Sequence, residues 1–138
     1  MTEVLTVSPV GIIRKRDTSI VIEIDEAYEL AMQGLELFSH ISVYYWFDKN
    51  DNLNGRTVLR VHPCRNKQNP LTGVFATHSP LRPNLIGASL CRILSIDKTR
   101  ITIDDIDAFD GSPVIDIKCY FPPSLSRAEI KVPDWERN

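Results

Sequence analysis

The chain has 138 residues, enough for one domain that buries about two thirds of its unfolded surface without disulfide or metal staples. Its hydrophobic share of 43% and charged share of 25% are those of a soluble globular protein, and no apolar run approaches the roughly 20 residues of a membrane span. Met1 to Val7 lacks a basic signal-peptide region, and Cys64, Cys91 and Cys119 are odd in number with no Cys-x-x-Cys, so reduced thiols, a cytoplasmic location and no metal site are expected.

The net charge of −2 hides an asymmetry. From Gly55 to Ile96 there is no Asp or Glu, while Arg56, Arg60, Arg65, Lys67, Arg82 and Arg92 contribute +6, leaving −8 for the rest. Either the charges scatter around the molecule, or they form an electropositive face suited to an anionic partner such as nucleic acid.

In chain order, the periodicity is mostly two. Val4 to Ile13 reads as a strand interrupted at Pro9, and β-branched Thr18 to Ile24 as its hairpin partner across Asp17. One helix is expected after Asp25, with Glu26 and Glu29 in its first turn, Gly34 at its end and Ala27, Leu30 and Ala31 toward the core. Aromatic Ile41 to Phe47 is a further strand, followed by a polar loop with a turn signal at Asn54-Gly55. Thr57 to His62 is next, then a basic, proline-bounded loop over His62 to Pro70. Leu85 to Ile96 and Arg100 to Ile106 form a hairpin, and Val114 to Tyr120 is the last strand, with a loosely ordered tail after about residue 122. Many short strands and one short helix predict a mainly β protein, a small closed or nearly closed barrel spanning residues 1–138 as a single domain.

Three segments invite a chemical reading. Gly73 to Gly87, with Pro80 and Pro83, is too stiff for a passive connector and presents Arg82 and Asn84 on a preorganised backbone. Arg65 and Lys67 in the basic loop suit phosphate contacts. Asp104 to Gly111 lacks calcium-loop spacing, so a β-bulge at Asp104–Asp105 is the better reading. Asp110-Gly111-Ser112-Pro113 is a turn, plain or beside a ligand. With six unclustered glycines there is no Rossmann or Walker loop, and there is no Gly-x-Ser-x-Gly.

Gly73-Val-Phe-Ala-Thr-His-Ser-Pro-Leu-Arg-Pro-Asn-Leu-Ile-Gly87 resembles the signature of the TsaA-like (TrmO, VirR-like) family, usually Gly-Val-Phe-Ala-Thr-Arg-Ser-Pro-x-Arg-Pro-Asn-Pro-Ile-Gly. Gly34-Leu-Glu-Leu-Phe-Ser-His40, Asp110-Gly-Ser-Pro-Val-Ile-Asp-Ile-Lys118, Pro9-Val-Gly-Ile-Ile-Arg14 and Val132-Pro-Asp-Trp135 are similar to other family segments, in the same order. The resemblance implies a β-barrel, homodimeric, S-adenosylmethionine-dependent methyltransferase acting on N6 of threonylcarbamoyl-adenosine beside the tRNA anticodon. By position it places donor contacts at Asp48, Lys49, His78, Leu90, Asp110, Gly111, Ser112 and Pro113. The basic loop and the stiff presenting loop, read from their own residues, assign Arg65, Lys67, Arg82 and Asn84 to RNA. Asp110 and Asp116 are the candidate proton acceptors. The chain departs from the pattern at His78, where the family has Arg, at Leu85 for Pro, and at Asp48-Lys49 for His-Gln. It is also short between Arg14 and Thr18. These departures leave as one alternative a binding module for the donor or RNA without transfer chemistry; a second, a methyltransferase for a small molecule, is favoured if the basic charges scatter.

Overall fold

Six antiparallel strands close a barrel in the computed structural model, which describes residues 3–136. They are β1 (Gly11–Arg16), β2 (Ser19–Ile24), β3 (His40–Trp46), β6 (Ile86–Asp97), β7 (Arg100–Ile103) and β8 (Pro113–Cys119). Around the barrel the order is β1-β2-β7-β6-β3-β8, and β8 returns to β1 through Gly11↔Val114 and Ile12↔Pro113. The remaining strands, β4 (Arg60–Val61) and β5 (Thr72–Gly73), pair only with each other in the excursion between β3 and β6.

The period-two pattern explains the closure. Ile13, Ile22, Ile41, Val43, Ile101 and Val114 point inward and are fully buried, so the lumen is a packed core and not a channel. Two-residue turns tighten the β1–β2 and β6–β7 hairpins, with Asp17 and Lys98 at φ 53° and 55°. β7 has four residues against the twelve of β6. The segment from Asp104 to Ser112 covers the gap, turning Ile106 and Ala108 into the core and Asp104, Asp105 and Asp107 to solvent.

Several expectations from sequence are corrected. The first strand begins only at Gly11; Val4 and Leu5 are each 86% exposed. Pro9 has no amide to give, and pairing starts at Val10, whose N–H reaches Val114 O at 2.7 Å. The expected helix is a kinked 3-10 segment, Glu26–Met32, capped by Asp25 as anticipated. Three residues per turn and the kink at Tyr28 break the predicted face, so Ala27, Leu30 and Ala31 are exposed and Met32 and Leu35 pack on the barrel instead. Of Thr57 to His62 only Arg60–Val61 is strand. The β6–β7 bulge lies on β6, between Ile93 and Ser95, and β7 stops at Ile103, before Asp104; a second slip falls between β3 and β8 at Tyr44/Tyr45. Asn54-Gly55 is not a hairpin turn but the middle of a short helix, α1 (Leu53–Thr57), capped by Asn52. Beyond Pro122 the described chain forms only two one-turn 3-10 segments, Arg127–Glu129 and Asp134–Glu136. No described helix is long and apolar enough to cross a membrane.

Candidate active site

The end of β3 lies beside the starts of β6 and β8, through Trp46↔Ile86 and Tyr45↔Val114. Three loops meet there: the one leaving β3, the Gly73–Gly87 segment entering β6, and Asp104–Ser112 entering β8. Phe47 N–H donates to Leu85 O at 2.8 Å, joining the first two. Lys49 Nζ stands 5.9 Å from the Phe109 ring centroid, joining the first to the third.

Gly87 has a steric reason. A Cβ there would lie 2.6 Å from the Tyr45 ring and 2.8 Å from that of Phe47, which pack edge to face at 5.4 Å. Any larger residue would push two aromatic rings out of the barrel wall.

The Asp110 turn is held from its inner side. Gly111 takes φ 87°, and its N–H donates to Ile13 O at 2.7 Å. Asp110 Oδ1 accepts from Lys15 N–H at 2.9 Å, while Lys15 Nζ donates to Ile106 O at 2.7 Å. Ser112 is 3% exposed, and its carbonyl accepts from Ile13 N–H. On the outer side of Gly111 the space is open, with nothing within 4 Å of a Cβ position.

The Gly73–Gly87 loop is braced by its own polar groups. Ser79 N–H donates to Thr77 Oγ1 and Leu81 N–H to Ser79 Oγ, each at 3.1 Å. Arg82 Nη1 donates to both Thr77 O and Ser79 O at 3.1 Å. These carbonyls flank His78, so Arg82 pins the two neighbours of the exposed imidazole. Arg65 and Lys67 are exposed on the β4–β5 loop, whose shape is set by Asn69 Nδ2 donating to Pro63 O and by His62 Nδ1 against Asn69 O. Arg92 is apart from the other cations, six residues along β6 from Ile86, or about 20 Å.

The expected donor-site residues thus fall into two groups. Asp48, Lys49 and Asp110 to Pro113 gather at the barrel end beside the loop that carries His78, Arg82 and Asn84. Leu90 is on the outer sheet face, half-exposed opposite Ser42, and Asp116 is on that face in the neighbouring row, opposite Tyr44. Asp116 Oδ1 accepts from its own neighbour Ile117 N–H, and Oδ2 pairs with Lys118 at 3.5 Å. Among the described residues no three His, Cys, Asp or Glu groups converge as metal ligands would.

Of the three perturbed groups only Tyr45 is near this rim; Cys91 and Asp104 lie further along β6, beside Ile41 and Arg92. Burial pushes the Cys91 thiol up to about 11, helped by the carboxylates of Asp104 and Asp105. Burial also raises the Tyr45 phenol, against a hydrogen bond with Ser89. The Arg92 N–H, donating to Asp104 at 2.8 Å, holds that carboxyl below its ordinary range.

Residues 8–124 match the family model of the tRNA-methyltransferase O N-terminal domain. The chain belongs to that family. It is 41% identical over 112 residues to a probable S-adenosyl-L-methionine-binding protein of Methanocaldococcus jannaschii, covering 81% of this chain and 89% of that one. It is 40% identical over 92 residues to the mouse tRNA (adenine(37)-N6)-methyltransferase, 67% of this chain but 21% of the mouse protein. A crystal structure of TrmO superimposes with a TM-score of 0.71 at 28% identity, covering 94% of this chain and 64% of that one. The chain therefore spans under two thirds of the solved relative.

Sequence reasoning overlooked four residues of this barrel end: Lys15, Trp46, Arg56 and Phe109. Arg56 counted only as one of the Gly55–Ile96 cations and Lys15 was not singled out, although the cap residue Asn52 three positions before Gly55 was a legible signal of the helix that carries Arg56.

Proposed function

We propose that this chain binds S-adenosylmethionine at the barrel end and transfers its methyl group to N6 of threonylcarbamoyl-adenosine beside the anticodon of tRNA. The observation that carries the reading is the convergence of Asp48-Lys49, the Asp110–Pro113 turn and the His78 loop on one open rim. The residues fit such a donor: Lys49 offers a cation for the amino-acid carboxylate, Asp48 a carboxylate for its ammonium, and Phe109, 60% exposed, an apolar face. When bound, S-adenosylmethionine supplies an electrophilic methyl carbon on a sulfonium, so the protein's task is mainly in-line alignment.

An N6 lone pair delocalised into the ring is a poor nucleophile, and an acceptor for the N–H proton would localise it. Asp110 is better placed for this than Asp116. One Asp110 oxygen is held by Lys15 N–H and the other has no partner among the described residues, whereas Asp116 lies on the outer sheet face with its oxygens engaged. His78, between its pinned neighbours, and Asn84 are poised to orient the acceptor. Arg65 and Lys67 on the projecting hairpin would meet tRNA phosphates without reading sequence. We further propose a homodimer in the cytoplasm; an apolar groove of about 450 Å³ beside the Glu26–Met32 segment, lined by Val10, Ile24, Met32, Leu35 and Phe38, is an uncovered face available to a second copy.

Calorimetry with S-adenosylhomocysteine tests the donor site: heat with a micromolar to submillimolar affinity is expected, and no heat near millimolar concentration overturns it. A second reading, a binding module without transfer, is favoured by the archaeal relatives, which are named only for S-adenosyl-L-methionine binding. Mass spectrometry of tRNA nucleosides from a deletion strain separates the two. Loss of methylated threonylcarbamoyl-adenosine supports transfer, and an unchanged level leaves the module or a small-molecule acceptor.

A further inference from the structure

Arg56 holds the two loops of the proposed donor site together. It stands on α1, whose position is closely determined: Asn52 Oδ1 accepts from Gly55 N–H at 2.7 Å, and a Cβ on Gly55 would lie 2.0 Å from Asn50 O, so only glycine lets the helix sit there. From this base the guanidinium reaches three acceptors on two segments. Nε donates to Pro83 O at 3.1 Å, Nη2 to Asn84 Oδ1 at 3.5 Å, and Nη1 to Asp51 Oδ1 at 3.3 Å. Its central carbon lies 5.6 Å from the Trp46 ring, and Trp46 Nε1 donates to the other oxygen of Asp51 at 3.0 Å.

The arrangement is a closed circuit of Trp46, Asp51 and Arg56 that grips the Gly73–Gly87 loop at Pro83-Asn84. Arg82 braces that loop from within, over Thr77 to Ser79; Arg56 adds, to the Phe47–Leu85 backbone bond, a side chain from outside that ties it to the segment bearing Asp48 and Lys49. We propose that Arg56 is a positioning residue of the donor site, setting the distance between Asp48-Lys49 and the His78 loop. The proposal rests on the donor-site reading above. Arg56 keeps 40% of its side chain exposed and Asp51 44%, so this ion pair does little for global stability. What the planar fork supplies is geometry: three acceptors met at fixed angles while one face lies on an indole. A lysine ammonium, a point charge on a flexible stem, cannot reproduce that.

The test compares Arg56→Lys and Arg56→Ala with the wild-type chain by amide hydrogen exchange, thermal unfolding and calorimetry with S-adenosylhomocysteine. The expected result is faster exchange confined to residues 79–86 in both variants, barrel strands at wild-type rates, a nearly unchanged melting temperature, and affinity for S-adenosylhomocysteine weakened about tenfold. Arg56→Lys should not rescue, because the charge is kept and the fork is lost. Unchanged loop exchange in Arg56→Ala overturns the clamp. Faster loop exchange with unaltered affinity overturns its role in the site, and wild-type behaviour of Arg56→Lys overturns the requirement for a fork. If the wild-type chain gives no heat, the donor-site reading fails, and loop exchange still decides whether Arg56 is the clamp.

Discussion

In the barrel, order comes from buried isoleucine and valine: Ile13, Ile22, Ile41, Val43, Ile101 and Val114 expose nothing. In the excursion from Phe47 to Leu85, only Gly55, Pro63, Val74 and Leu85 are buried, and order comes from side chains bonding to backbone and to one another. Asn52, Arg56, Asn69, Thr77, Ser79 and Arg82 all serve this purpose. The two regions divide the work. Non-directional burial makes a rigid frame, while directional hydrogen bonds place a few polar groups at its rim without the volume a second core would need.

Substitutions should break this division in order of size. Ile101→Ala removes a fully buried side chain from the barrel and is expected to cost about 2–5 kcal/mol in urea unfolding. A cost below that of a surface change would mean that the lumen is not one core. Gly87→Ala sits where the two regions join, and driving a methyl into the Tyr45 and Phe47 rings should cost about 1–3 kcal/mol. Asn52→Ala removes the α1 cap, worth about 1 kcal/mol locally. Exchange at Gly55 should accelerate while the global transition barely moves; a matching global loss would show that excursion and barrel unfold as one unit.

Titration sharpens the same contrast. Cys64 is exposed in the excursion and Cys91 is buried in the barrel wall with its thiol pushed up to about 11. At pH 8 a disulfide reagent should label Cys64 readily and Cys91 only on unfolding. Because the folded chain holds the Cys91 proton more tightly than the unfolded chain, its contribution is full below the ordinary thiol range and is lost as pH rises toward about 11. Rapid labelling of Cys91 in the folded state would show the wall to be open. The smallest effect concerns Asp104, whose lowered pKa makes its contribution present above the ordinary carboxylate range and lost as pH falls. The stability gap between wild type and Asp104→Asn should close on acidification; a constant gap would mean that the Arg92 N–H bond does not depend on the charge.

Strand alternation made the barrel legible from the amino acids alone, since a period of two with β-branched residues permits one inward face per strand. β2, β3 and β8 were read nearly to their ends. The helix face was misread because 3-10 geometry changes which residues align, and α1 was missed because its five residues carry no periodicity. The turn at Asp110 was readable from its chemistry, and the stiffness of the Gly73–Gly87 loop from its prolines.

Residue types therefore settle what each segment can be: strand, turn, stiff loop, cation or carboxylate. Which of them meet is decided by barrel closure. Closure sets the register that brings Asp48-Lys49 beside Asp110–Pro113, leaves Leu90 and Asp116 on the outer face, and lets a guanidinium 27 positions before Pro83 grip its carbonyl. Local sequence carries no record of such distances, because the barrel spans them through strands far apart in the chain.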